Sequence, residues 1–98
     1  MLINVRTAVV LPGKLGEAMA WAARVRDAVN QLGGELKLGT QIGARATTLV
    51  WIAEYKDFAD FEQKSAMLIS SSDYHKAISE AANLLVAGEI RDQLYRLA

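Results

Sequence analysis

One histidine is the side chain in this sequence best suited to moving a proton. His75 is the only group expected to titrate near neutral pH. On a helical wheel it lies about 60–100° from the inner stripe of its predicted helix, at the boundary between core and solvent. It is a solvated surface residue, a general base or a haem ligand. No other histidine accompanies it at a metal-binding spacing, and we predict no metal site.

Trp51 lies in the middle of the apolar run Leu49-Val50-Trp51-Ile52-Ala53. Large aromatic side chains in such runs usually fill a core or a subunit interface. The alternative is that the ring forms one wall of a ligand cleft and its indole N–H holds the ligand. The sequence leaves both interpretations open.

Two arginines, Arg6 and Arg91, lie on segments predicted to be neighbouring strands. Like the other polar strand residues, they are either hydrogen-bonded residues lining a subunit interface or a pair that grips an anionic substrate. A guanidinium fork suits the second role because it binds carboxylates with two parallel hydrogen bonds.

The elements that carry these residues follow from hydrophobic periodicity. Alternation with period two predicts strands at 2–11 and 35–43. Apolar residues on both faces predict a central strand at 46–55, and a mixed polar and apolar segment predicts a last strand at 89–97, after a break at Gly88. Spacings of three and four predict a helix from Leu15 to Leu32 and a second helical region from Phe58 to Leu85, interrupted at 70–73. We expect the odd-numbered residues of the first strand on its packed face, and Trp21 at the rim of the first helix.

This order of elements predicts one α+β domain over residues 1–98. It is the ferredoxin-like βαββαβ sandwich: a four-stranded antiparallel sheet with helices on one face. The first and third strands, which are the most apolar, lie in the middle of that sheet. A monomer would leave an apolar patch on the face without helices. We therefore predict a homodimer, two sheets face to face, that forms a dimeric α/β barrel.

Composition excludes several other classes of protein. Eleven basic residues balance eleven acidic ones, which argues against nucleic acid or a charged membrane surface as the main partner. The absence of cysteine excludes disulfides, thiolate nucleophiles and cysteine-bound zinc. Because we find neither a signal peptide nor an apolar run of about 18 residues, we expect a cytoplasmic protein that does not enter a membrane.

These features resemble the dimeric α/β-barrel superfamily, which includes NIPSNAP-like proteins, antibiotic-biosynthesis-type monooxygenases and haem-degrading monooxygenases. The resemblance rests on the order of elements over the whole chain and on two passages, VWIAEYKD at 50–57 and GEIRDQLYR at 88–96. The first passage is similar to the strand-to-helix junction frequent in NIPSNAP-like chains. Fold alone does not give function.

The resemblance implies further site residues. Cofactor-independent, quinone-forming monooxygenases of the superfamily hold a phenolic substrate with Asn, Trp and Tyr side chains. By this resemblance Asn4 joins His75 as a candidate catalytic residue. Tyr55 likewise joins Trp51 and the two arginines as a candidate ligand-binding residue.

Haem-degrading members use an asparagine on the first strand, a tryptophan in the second helical segment and a histidine further along. Asn4 matches the first of these, but Phe58 or Phe61 stands at the tryptophan position. His75 falls several residues before the expected histidine. We therefore predict no haem and no other cofactor.

Two functions follow from the sequence and the resemblance together. The first is a homodimer that binds a small aromatic or polyketide-like molecule in an apolar pocket, with cofactor-independent oxygenation or proton transfer as its chemistry. The alternative is a non-catalytic dimerisation or ligand-sensing module of the NIPSNAP-like type. The sequence leaves open whether the protein is an enzyme.

Overall fold

A computed structural model describes residues 1–98 and confirms the predicted ferredoxin-like α+β fold. In chain order the elements are β1 (Leu2–Val10), α1 (Leu15–Gln31), β2 (Leu36–Thr40), β3 (Thr48–Tyr55), α2 (Phe58–Ile69), α3 (Ser72–Ser79), a 3₁₀ turn (Glu80–Asn83) and β4 (Leu85–Arg96). The side chains of Asp57 and Ser71 accept hydrogen bonds from backbone N–H groups and cap the starts of α2 and α3. The second helical region is therefore split at the serine cluster, as its composition predicts.

The four strands form one antiparallel sheet in the order β2-β3-β1-β4. The two most apolar strands, β1 and β3, lie in the centre, which confirms the prediction. The helices pack on one face of this sheet, and we call the other face the open face. Its side chains come from alternate residues of each strand, among them Val5 and Ile52, which are directly opposite each other.

The prediction that the odd-numbered residues of β1 face the packed side is wrong. The buried residues of β1 are Leu2, Ala8 and Val10, all even-numbered. Both faces of this strand carry apolar residues, so alternation alone did not tell which face the helices cover. Because side chains alternate strictly, Asn4 and Arg6 also point toward the helices.

The fourth strand begins at Leu85 rather than at residue 89. Gly88 has a positive φ of 79° and lies inside the strand. The pairing of β1 with β4 shifts register between Ala8 and Val10, which is a bulge. The glycine therefore accommodates an irregularity in a continuing strand, and it does not end the preceding element.

A core cluster of ten buried residues joins α1 to the sheet. The prediction that Trp21 lies at the rim is wrong, since only 2% of it is exposed. The buried stripe of α1 runs through Ala18, Trp21, Ala22 and Val25, the i, i+3, i+4, i+7 pattern of a packed helix face. By contrast, α2 and α3 have no fully buried residue. No helix of the chain has the length and apolar character needed to cross a bilayer.

Candidate functional site

A cavity of about 440 Å³ lies between the helix-covered face of the sheet and the helices. Its walls are mainly apolar and come from every layer of the fold: Val25 on α1, Phe61 on α2, Ile78 on α3 and Leu94 on β4. Sites for small molecules typically have volumes of roughly 300–1,000 Å³ and apolar walls with a few polar groups. This cavity has both properties, and we call it the central cavity.

Trp21 and Trp51 form one wall of the central cavity, and their hydrogen bonds connect the sheet to α1 and α1 to α3. The rings of Trp21 and Trp51 meet edge to face, with centroids 5.6 Å apart. The indole N–H of Trp21 donates to the Ala77 carbonyl at 2.6 Å, and that of Trp51 donates to the Ala22 carbonyl at 3.4 Å. Trp51 is therefore both a core residue and a cavity wall. Its N–H is directed at the backbone of α1 and not at a ligand.

The central cavity contains one ion pair. Arg6 on β1 and Asp92 on β4 are direct partners in the sheet register and point toward the helices together. The Nε of Arg6 donates to Oδ1 of Asp92 at 2.7 Å, and its Nη2 donates to Oδ2 at 2.8 Å. These bonds lower the pKa of the Asp92 carboxyl and raise the pKa of Arg6, so both groups are charged at neutral pH.

Uncharged polar groups lie among the apolar walls. Asn4, Tyr55 and Tyr74 contribute an amide and two phenol hydroxyls. The ring of Tyr55 meets that of Phe61 edge to face, with centroids 5.1 Å apart. Burial raises the pKa of Tyr55, which keeps its hydroxyl protonated at neutral pH.

The structure does not bring His75 together with the other candidate residues. This side chain is exposed on α3 and does not line the central cavity. Its Nε2 makes a hydrogen bond to the carbonyl of Ile69, at the end of the preceding helix. No histidine therefore reaches the cavity, so its lining lacks the histidine that the resemblance to haem-degrading monooxygenases implies. No cluster of three or more His, Asp or Glu side chains is placed to hold a metal ion.

Arg91 lies on the opposite face of the sheet from Arg6. Because Asp92 is the residue opposite Arg6, its neighbour Arg91 points to the open face. There the Nη2 atom of Arg91 lies 3.8 Å from Oε2 of Glu89. Within one chain the two arginines do not approach a common ligand. Asn4, Arg6, Trp51 and Tyr55 are the predicted site residues that the central cavity brings together.

Sequence reasoning missed Asp92, Tyr74 and Phe61 as cavity residues. A signal for Asp92 was present in the alternation Ile90, Asp92, Leu94, which places one acid on an otherwise apolar strand face. The helical residues carried no such signal, because an aromatic on an inner stripe has the same pattern whether it packs or lines a cavity.

Solved structures with the same fold include NIPSNAP-domain proteins. An uncharacterised NIPSNAP-domain protein from Burkholderia xenovorans superimposes with a TM-score of 0.85 at 17% identity, over 100% of this chain and 95% of that chain. A NIPSNAP family protein of unknown function from Agrobacterium tumefaciens gives 0.82 at 14% identity, over 100% and 88%. A conserved protein from Methanosarcina mazei gives 0.73 at 18%, over 97% and 90%.

These comparisons establish the fold, and the NIPSNAP-like resemblance is confirmed at that level. No protein-family model matches the chain, and no curated protein is similar to it in sequence. At identities below a fifth, the residues of the central cavity must be interpreted on their own chemistry.

Proposed function

Starting from a chain that has the fold of NIPSNAP-domain proteins, we propose that it is a non-catalytic binding protein for a small, mainly apolar molecule. The central cavity of about 440 Å³ is the observation that carries this proposal. Its size suits a ligand of two or three fused rings or a similar aliphatic chain. Such a ligand would be held chiefly by burial of apolar surface, which stabilises a complex by roughly 25 cal/mol per Å² before the costs of association.

The walls of the cavity support binding by a largely preformed site. Trp51 is held by its contact with Trp21 and by its bond to Ala22, so this wall has little freedom to collapse. The side facing it belongs to α2, where Phe61 and Leu68 line the cavity without being fully buried. A ligand would complete the packing of that helix, and this coupling is what a ligand-sensing module requires.

An oxygenase-like enzyme is the second candidate, favoured by Asn4, Trp51 and Tyr55 lining one cavity as the family resemblance implies. The position of His75 outside the cavity weighs against it, because a general base must reach its proton within about 3 Å or through one water. The two solved structures of NIPSNAP proteins compared above are of uncharacterised or unknown function and supply no reaction.

Binding is tested with the uncharged dye N-phenyl-1-naphthylamine, whose fluorescence rises in apolar surroundings. We expect saturable binding of one dye per chain. Ser65→Phe should weaken it about tenfold or more, because Ser65 lines the cavity from α2 and the added ring would occupy it. The matched control is Ala66→Phe, since Ala66 is the next residue on the same helix and is exposed.

Equal weakening by both phenylalanine substitutions, or no saturable binding to the unsubstituted chain, would remove the cavity as a ligand site. The second of these results would end the proposed function as a whole.

Catalysis is tested separately by oxygen consumption with 1-naphthol, a phenolic compound small enough for the cavity. We expect no uptake above that of the buffer, because His75 lies outside the cavity and the one carboxylate inside it, Asp92, is already paired with Arg6. Uptake that is proportional to protein concentration and lost in Ser65→Phe would favour the oxygenase-like candidate instead.

We further propose that the protein is a homodimer that pairs through the open face, as in a dimeric α/β barrel. The central strands place Ile3, Val5 and Val9 on this face beside Val50 and Ile52, and Ile52 is 38% exposed. Lys37, Glu54 and Arg91 surround this apolar strip and supply charges of both signs. An apolar centre with a mixed-charge rim suits a two-fold interface, in which each patch meets its own copy.

A further inference from the structure

The ion pair in the central cavity limits which ligands can enter it. Arg6 and Asp92 are the only charged residues that line the cavity, so its walls have no net charge. The pair is about half exposed, with 39% and 49% of the two side chains accessible, and both residues line the cavity. An incoming ligand therefore meets both charges directly.

The geometry of the pair makes the two-point face of the Arg6 guanidinium, formed by Nε and Nη2, unavailable to a ligand carboxylate. Both oxygens of Asp92 accept hydrogen bonds from Arg6, at 2.7 and 2.8 Å, in the parallel arrangement that a guanidinium also offers to a ligand carboxylate. A carboxylate or sulfonate ligand that took this two-point position would have to displace Asp92, which would lose both of its hydrogen bonds to Arg6. A cationic ligand meets the same difficulty, because Arg6 already neutralises Asp92.

An uncharged ligand meets no such penalty. The guanidinium uses Nε and Nη2 in the pair, so the N–H groups of Nη1 remain available to donate to a ligand oxygen. Asn4, Tyr55 and Tyr74 line the same cavity with an amide and two hydroxyls. These groups can bond a carbonyl or hydroxyl oxygen while the apolar walls hold the rest of the ligand.

We propose that Asp92 is a specificity-determining residue: by occupying Arg6, it makes the central cavity select uncharged, mainly apolar ligands that carry a carbonyl or hydroxyl oxygen, and reject carboxylates and amines. This inference rests on the proposed binding function and names its ligand class. It assigns a selective role to a residue pair that would otherwise be regarded as a structural ion pair between neighbouring strands.

The test measures displacement of N-phenyl-1-naphthylamine by three naphthalene probes near neutral pH: 1-naphthalenemethanol, 1-naphthoate and 1-naphthylmethylammonium. They differ chiefly in the charge of one substituent. For the unsubstituted chain we expect the alcohol to displace the dye at a concentration about tenfold lower than either ion requires. In Asp92→Asn the affinity for the carboxylate probe should rise about tenfold, while the affinity for the alcohol should change by less than about threefold.

The reciprocal variant, Arg6→Gln, leaves Asp92 without its partner. It should bind the cationic probe about tenfold more tightly than the unsubstituted chain does. Matched controls are Glu89→Gln and Arg91→Gln, which change the net charge by the same amounts on β4 but have exposed side chains outside the cavity. Neither control should alter the order in which the three probes rank by the concentration needed to displace the dye. The two cavity variants act in opposite directions, so either one alone tests the proposal if the other does not fold.

Equal displacement by all three probes from the unsubstituted chain would overturn the selectivity. So would an unchanged order in a folded Asp92→Asn variant. Both results are compatible with dye binding in the cavity and would leave the proposed function standing, whereas failure of the dye itself to bind would remove both.

Discussion

Replacing Trp51 with alanine is expected to lower the free energy of unfolding by about 3–5 kcal/mol, the range for truncating a large buried aromatic. Only 4% of Trp51 is exposed, its ring contacts Trp21 edge to face, and its N–H bonds to the Ala22 carbonyl. One substitution therefore removes packing from the sheet, from α1 and from the cavity wall together. Because small domains are stable by only about 5–15 kcal/mol, the variant should be close to unfolding at room temperature.

Chemical denaturation followed by circular dichroism measures this loss. Ile42→Ala is the control, because Ile42 is 97% exposed and its truncation should change the unfolding free energy by less than about 0.5 kcal/mol. A Trp51→Ala variant that loses less than about 1 kcal/mol would show that Trp51 contributes little to the core, contrary to its position.

The second large effect concerns the open face. Ile52→Glu is expected to convert the proposed dimer into monomers, because it would place a carboxylate at the centre of an apolar interface, where an unpaired charge is strongly unfavourable. The fold of the single chain should survive. In the single chain the side chain at position 52 is 38% exposed, so water can solvate the new carboxylate.

Sedimentation at micromolar concentration gives the mass directly. We expect two chains per particle for the unsubstituted protein and one for Ile52→Glu, with dye binding preserved in both. Ile42→Glu makes the same chemical change at a residue in the β2–β3 connection that is 97% exposed, and should leave the mass unchanged. A single-chain mass for the unsubstituted protein would remove the dimer and the barrel with it.

The strand order could be predicted from the sequence because central strands are covered on both faces and must be apolar throughout. The run at Leu49–Ala53 carries that signature, whereas the short strand at Leu36–Thr40 carries lysine and glycine and lies at an edge. The position of Trp21 was harder to predict. Its helix has an apolar stripe wide enough to include or exclude it, and only the close approach of α1 to the sheet decides which.

The candidate site depended on a register that periodicity cannot supply. Placing Arg6 beside Arg91 rather than Asp92 is a slip of one residue, and in a strand such a slip moves every side chain to the opposite face. The sequence left two interpretations of Arg6 and Arg91 open, and under one of them the two arginines grip an anion. In the structure Arg6 is already bound to the carboxylate of Asp92. With the pairing that the structure shows, the proposed ligand is uncharged and not anionic.

Helix α2 forms one side of the central cavity, yet none of its residues is fully buried, and its two ends are defined by local caps at Asp57 and Ser70. Local opening costs least where few apolar contacts are broken. We therefore expect α2 to open locally more readily than the buried tryptophan pair and the sheet beneath it. A ligand that enters past α2 would then exchange at a rate set by local opening of this helix and not by unfolding of the whole domain.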